Sequence, residues 1–154
     1  MRRWKQRKVV KGSAVGALAR IGEPAVPPLL DILASPQHPE STKGHAAWAL
    51  AFIETAAKEH LYQALSSDSE EVRAAVVGAI AKVAQDDPQA GVFEILIDAL
   101  TDPAEAVRSE AAAALGNLTY LPAIPNLVEL LHHPVWESRK AAALALRRDQ
   151  PIHP

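Results

Sequence analysis

Apolar residues return five times along the chain in one pattern, each time at a fixed distance behind a basic residue. Three, four and seven residues after Lys11 come Ala14, Val15 and Leu18, and after Lys43 come Ala46, Ala47 and Leu50. The same offsets give Val76, Val77 and Ile80 after Arg73, Ala111, Ala112 and Leu115 after Arg108, and Ala142, Ala143 and Leu146 after Arg139. A small residue (Ala17, Ala49, Ala79, Ala114 or Ala145) precedes the last of each set, and Ile21, Ile53, Val83 and Leu118 extend the face, which Asp149 breaks at the end. Apolar positions at i, i+3, i+4 and i+7 define one face of a helix. The pattern predicts helices near 10–21, 42–54, 72–84, 107–118 and 138–148.

A second helix type lies between these, marked by the i, i+4 pairs Leu29/Leu33, Leu61/Leu65, Leu96/Leu100 and Leu127/Leu131. The joints hold Pro36 and Pro39, Asp68, Asp102-Pro103 and His133-Pro134, residues that stop one helix and start the next. The basic residues are spaced 32, 30, 35 and 31 apart, and the longest step contains extra residues around Gln85-Asp86-Asp87-Pro88. The unit is an antiparallel helix pair, and residues 1–154 read as a single all-α domain. Helices this short are marginal alone in water, so about five pairs must stack into an α-solenoid. The chain opens on a second-type helix with no first-type partner, so residues 1–9 or another chain is expected to cover that end.

The period, the Asp102-Pro103-x3-Val107-Arg108 opening and the Ala-Ala-x-Ala-Leu-Gly run at Ala111–Gly116 resemble the short HEAT-like repeats of phycobilisome bilin lyases. The resemblance spans roughly residues 9–148 and implies stacked HEAT-like repeats. It implies a protein-binding scaffold or adaptor acting on phycobiliproteins. The alternative it implies is a non-autonomous subunit of a bilin lyase or isomerase, with a linear tetrapyrrole as ligand and a second repeat subunit as partner. Repeats of this kind carry many roles, so fold alone does not choose between them.

Composition narrows the chemistry. The 154 residues include no cysteine, which excludes disulfides, thiolate zinc or iron–sulfur ligation and a cysteine nucleophile. None of the phosphate-loop, dinucleotide, nucleophile-elbow or HExxH zinc motifs is present, so no catalytic constellation is expected. The net charge is -2, but six of the sixteen basic residues fall in the first eleven, leaving ten against eighteen acidic groups afterwards. The basic tip suits an acidic protein or membrane surface, or is a solvated helix start, while the acidic remainder repels nucleic acid. No apolar run is long enough to span a membrane, and a cytoplasmic protein is expected.

Candidate site residues lie on the second-type helices, on the stripe facing away from their partners. That stripe is small or polar at Ser13, Gly16, Ala75, Gly78, Glu110 and Ala113, and turns aromatic at His45, Trp48 and Phe52. Exposed aromatics are frequent binding anchors, and Arg20 and Lys82 would bracket this spot for a protein side chain or a carboxylate-bearing pigment. The competing reading packs Trp48 against neighbouring helices. The basic ladder Lys11, Lys43, Arg73, Arg108 and Arg139 recurs in every unit and reads as structural, with surface pairs to carboxylates such as Asp68 or Asp102. His132-His133 reads as a helix-end cap for carbonyls, since adjacent helical positions diverge by about 100° and chelate poorly. No resident metal is expected. Trp136 is expected to staple the last helix to its neighbour.

Overall fold

The computed structural model describes residues 17–18, 20–53 and 58–148, which form helices and turns and no strand. After a short helical stretch ending at Ile21, eight α-helices follow: α1 (Val26–Ala34), α2 (Glu40–Ile53), α3 (Lys58–Ala64), α4 (Glu70–Asp86), α5 (Ala90–Ala99), α6 (Glu105–Asn117), α7 (Ile124–Leu130) and α8 (Trp136–Arg148). Odd-numbered helices are the first-type members and even-numbered helices the second. Each packs on its hairpin partner, and α2, α4, α6 and α8 pack successively on one another. The chain is an all-α solenoid. Lys11, Asp149 and the covering segment 1–9 lie outside the described residues.

The recurring apolar set makes the core. Ala46, Leu50, Val76, Val77, Ile80, Ala111, Ala112, Leu115 and Ala142 are buried, together with Leu29, Leu33, Leu61, Leu96, Leu100 and Leu127 from the first-type helices. Each fully buried Leu or Ile contributes about 1.5–3 kcal/mol. Small residues set the spacing: a Cβ on Gly116 would stand 2.8 Å from Ala145 Cα, so α6 and α8 nearly touch backbone to backbone.

Two expectations need correction. Ile21 is 58% exposed, because the helix ends there and Gly22, at φ 73°, turns the chain toward α1. Ala143, which matches the buried Ala112, is exposed, because among the described residues no further repeat follows α8. In the longest step, Gln85 and Asp86 extend α4 to 17 residues, and Asp87 and Pro88 form the connection to α5.

Two turns share one solution. Gly22 N donates to Leu18 O at 3.0 Å, and the tight turn leads into Pro24-Ala25-Val26-Pro27. Thr119 takes the left-handed position at φ 51°, Tyr120 N donates to Leu115 O at 3.2 Å, and Pro122-Ala123-Ile124-Pro125 follows. Proline suits these first-turn positions because their N–H groups have no intrahelical partner.

Candidate functional site

The outer stripe of the second-type helices is exposed on α2 and α6 and at Leu144 of α8, but half-buried on α4 at Ala75, Gly78 and Lys82. His45 is exposed on α2, Glu110, Ala113 and Asn117 on α6, and Leu144 on α8. Trp48 and Phe52 belong to α2, but their side chains lie outside the described residues, as does Gly16. Arg20 is exposed, and Lys82 is half-buried on α4. Lys82 is not a free cation: its Nζ stands 3.1 Å from Asp86 Oδ1, one helical turn on.

The extra turn of α4 builds a groove against α6. Lys82, Gln85 and Pro88 form one wall and Glu110 and Asn117 the other, around a volume of about 540 Å³. Phe93 closes the groove from α5, with its ring stacked on Tyr120 at 3.9 Å between centroids. The left-handed turn at Thr119 delivers Tyr120 to that stack. Gly78 makes room on α4 for the Glu110 carboxylate, whose Oε1 would stand 3.2 Å from an added Cβ. Glu110 is exposed as a residue, but partial burial of its carboxyl in the groove raises its pKa. Glu71, by contrast, is held below its ordinary value by a backbone hydrogen bond and by Ser69 Oγ, which donates to Glu71 Oε2 at 2.9 Å, while burial opposes them.

The basic ladder has two grips. One reaches back over its own turn: Arg73 Nη1 donates to Ser67 O, Arg108 Nη1 to Asp102 O and Pro103 O, and Arg139 Nη1 to His133 O and Pro134 O, all at 2.8–2.9 Å. The other reaches forward to the next repeat: Arg73 Nε and Nη2 bind Asp102 bidentately at 3.0 and 3.1 Å, and Arg108 Nε donates to Ser138 Oγ at 2.9 Å. Arg108 is not in a surface pair, as the sequence suggested; it is only 4% exposed, and carbonyl and hydroxyl oxygens receive its donors.

Sequence reasoning named Asp102 as a ladder partner, which Arg73 bears out, but missed the loop caps that complete this device. Ser67 Oγ, Asp102 Oδ1 and His133 Nδ1 each accept the backbone N–H two residues on, at 3.2, 2.8 and 3.0 Å. All three stand six residues before their ladder arginine, and that constant offset was the available signal. His133 thus accepts a hydrogen bond from Val135 N, where the sequence suggested that it capped carbonyls. Trp136 does not staple α8 to a neighbour: it is 56% exposed, with Lys140 Nζ 5.2 Å from the ring centroid. Among the described residues no cluster of three or more metal-ligating side chains occurs, and no helix is long and apolar enough to cross a membrane.

Comparison with known proteins places this geometry. The sequence matches HEAT repeats over residues 58–147 and the PBS lyase HEAT-like repeat over residues 10–35. It is 36% identical over 131 residues to the bilin biosynthesis protein MpeU of Synechococcus sp. (strain WH8020). That alignment covers 84% of this chain and 44% of MpeU, so the chain spans less than half of that relative's length. Among solved structures, the complex of CpcE and CpcF of phycocyanin lyase from Nostoc sp. PCC7120 is similar at 25% identity and a TM-score of 0.66, covering 81% of this chain and 78% of that one. A designed armadillo repeat protein in complex with the peptide (KR)4 is similar at 27% identity and a TM-score of 0.53, covering 93% and 76%.

Proposed function

This chain belongs to the HEAT-repeat family, and from that premise we propose that it is a non-autonomous subunit in bilin attachment or biosynthesis, working with a second repeat chain. The observation that carries this reading is the 36% identity to MpeU, a bilin biosynthesis protein. Similarity to the CpcE–CpcF complex adds support for a paired rather than solitary protein. On this reading the chain holds a phycobiliprotein or a linear tetrapyrrole and leaves the bond-forming chemistry to the assembled complex. These comparisons favour the subunit reading over a free-standing adaptor.

The binding surface is the outer stripe of the second-type helices. His45, Trp48 and Phe52 supply an aromatic platform, and Arg20 and Lys82 supply cations for pigment carboxylates. Lys82 would exchange Asp86 for the ligand, a low barrier because exposed i,i+4 pairs are worth only about 0.3–0.5 kcal/mol. The adaptor reading keeps one specific support, the polar groove beside Glu110, which suits a partner side chain.

Trp48→Ala tests the surface. Titrating the full chain, together with a lyase-type partner chain, with a linear tetrapyrrole and following its absorption band should show affinity weakened by about 2 kcal/mol or more. The melting temperature should barely change. A large loss of stability with unchanged pigment affinity would mean that Trp48 is packing, and would remove the stripe from the site.

A further inference from the structure

Glu110 breaks the pattern of its own stripe. The matching positions of the repeats on either side hold Ala75 and Ala141, both half-buried, so the packing of second-type helices asks for no charge there. Gly78 clears the space across the groove, with Glu110 Oε1 3.2 Å from where its Cβ would stand. Among the described residues the carboxylate meets neither a hydrogen-bond donor nor a cation, and only burial shifts its titration. The cation on the α4 wall, Lys82, has its Nζ on Asp86 Oδ1 at 3.1 Å. Partial burial of an unpaired charge costs stability, and such costs collect where a chain binds something.

The rest of the groove selects the occupant. From Gly78 to Gln85 on α4 and from Glu110 to Asn117 on α6 it runs two helical turns, about 10 Å at 1.5 Å per residue. Ala81, Ala84, Ala113 and Ala114 make those walls apolar and low. Lys82 and Asp86 cancel, which leaves the charge of Glu110 to be answered. A long apolar stem ending in a cation matches this shape, since lysine and arginine lay their stems along apolar surface while the head seeks a carboxylate. Glu110 would repel the carboxylate of a pigment, and one carboxylate is too few ligands for a hard metal ion.

We propose that the groove between α4 and α6 receives a lysine or arginine side chain of a protein partner, its stem along the alanines and its head on Glu110. The inference rests on the reading that this chain holds another protein, and adds the chemistry by which it does so.

The test records amide signals of the isotope-labelled full chain during titration with blocked Gly-Arg-Gly and Gly-Lys-Gly, and with the citrulline tripeptide, which has arginine's shape without its charge. Signals of Gly78 and Asn117 should shift saturably with the basic tripeptides, and the citrulline one should bind about tenfold or more weakly. Glu110→Gln should cost a similar factor while melting no lower than the parent. Ala113→Leu, which fills the groove with the charge intact, should abolish the shifts. Equal binding of the citrulline tripeptide, or binding untouched by Glu110→Gln, would overturn the proposal. Sedimentation of the full chain with each chain of the Nostoc phycocyanin lyase, and with phycocyanin, tests the source: Glu110→Gln should weaken one of these assemblies about tenfold or more. Tripeptide binding that Glu110→Gln abolishes, with every assembly unchanged, would make the occupant a free amine and overturn the protein partner. A linear tetrapyrrole that displaces the tripeptides would make the groove part of the pigment site and overturn it as well. A parent that assembles with none of the three would overturn the protein-holding reading itself, and the partner side chain with it, whatever the tripeptides do.

Discussion

At the scale of single residues, two side-chain positions carry consequences that run against ordinary expectation. Alanine normally improves a helix over glycine by about 1 kcal/mol, yet Gly116 faces Ala145 Cα at 2.8 Å from where its Cβ would stand. Backbone cannot yield as a side-chain tip can, so Gly116→Ala should lose about 1–2 kcal/mol in a denaturant melt. A gain would mean that α6 and α8 are further apart than described. Glu110 concerns pH. Burial raises its pKa in the folded chain, whereas in the unfolded chain it titrates at the ordinary value, so between those values the folded state binds more protons. Stability therefore falls as pH rises through that window. Glu110→Gln should raise the melting temperature at pH 7 and lose its advantage below the ordinary glutamate range. An unchanged melting temperature at pH 7 would show that the carboxylate is fully hydrated.

At the scale of helices and turns, the repeat was legible because burial on one face leaves an i, i+3, i+4, i+7 record whatever else varies. Leu50, Ile80 and Leu115 could be placed in the core from that record alone. The groove was not legible, because Asp87-Pro88 signals a stop without showing that the helix first continues through Gln85 and Asp86, where Asp86 is held by Lys82. The loop device was hidden for another reason: Ser67, Asp102 and His133 are different residue types whose shared property is one acceptor atom. Asp102 joins two repeats and its own turn, accepting from Arg73, Ala104 N and, through its carbonyl, Arg108. A double-mutant cycle between Arg73→Ala and Asp102→Ala should give a coupling of about 1–3 kcal/mol, larger than for an exposed pair. Additive effects would reduce the ladder to surface decoration.

For the molecule as a whole, the solenoid leaves function to its surfaces. Exposure at Ala143 is invisible to local periodicity, since it holds the offset at which Val77 and Ala112 are buried. The aromatic stripe was named from sequence at His45, Trp48 and Phe52, while the neighbouring groove emerged only from the fold. The central claim is that this chain serves bilin chemistry as one half of a pair. The direct measurement incubates a phycobiliprotein subunit and a linear tetrapyrrole with this chain, with a lyase-type partner chain, or with both. Denaturing electrophoresis then reads the pigment that stays on the acceptor. Pigment fixed efficiently only when both chains are present is the predicted result; fixation unaffected by leaving this chain out would contradict it.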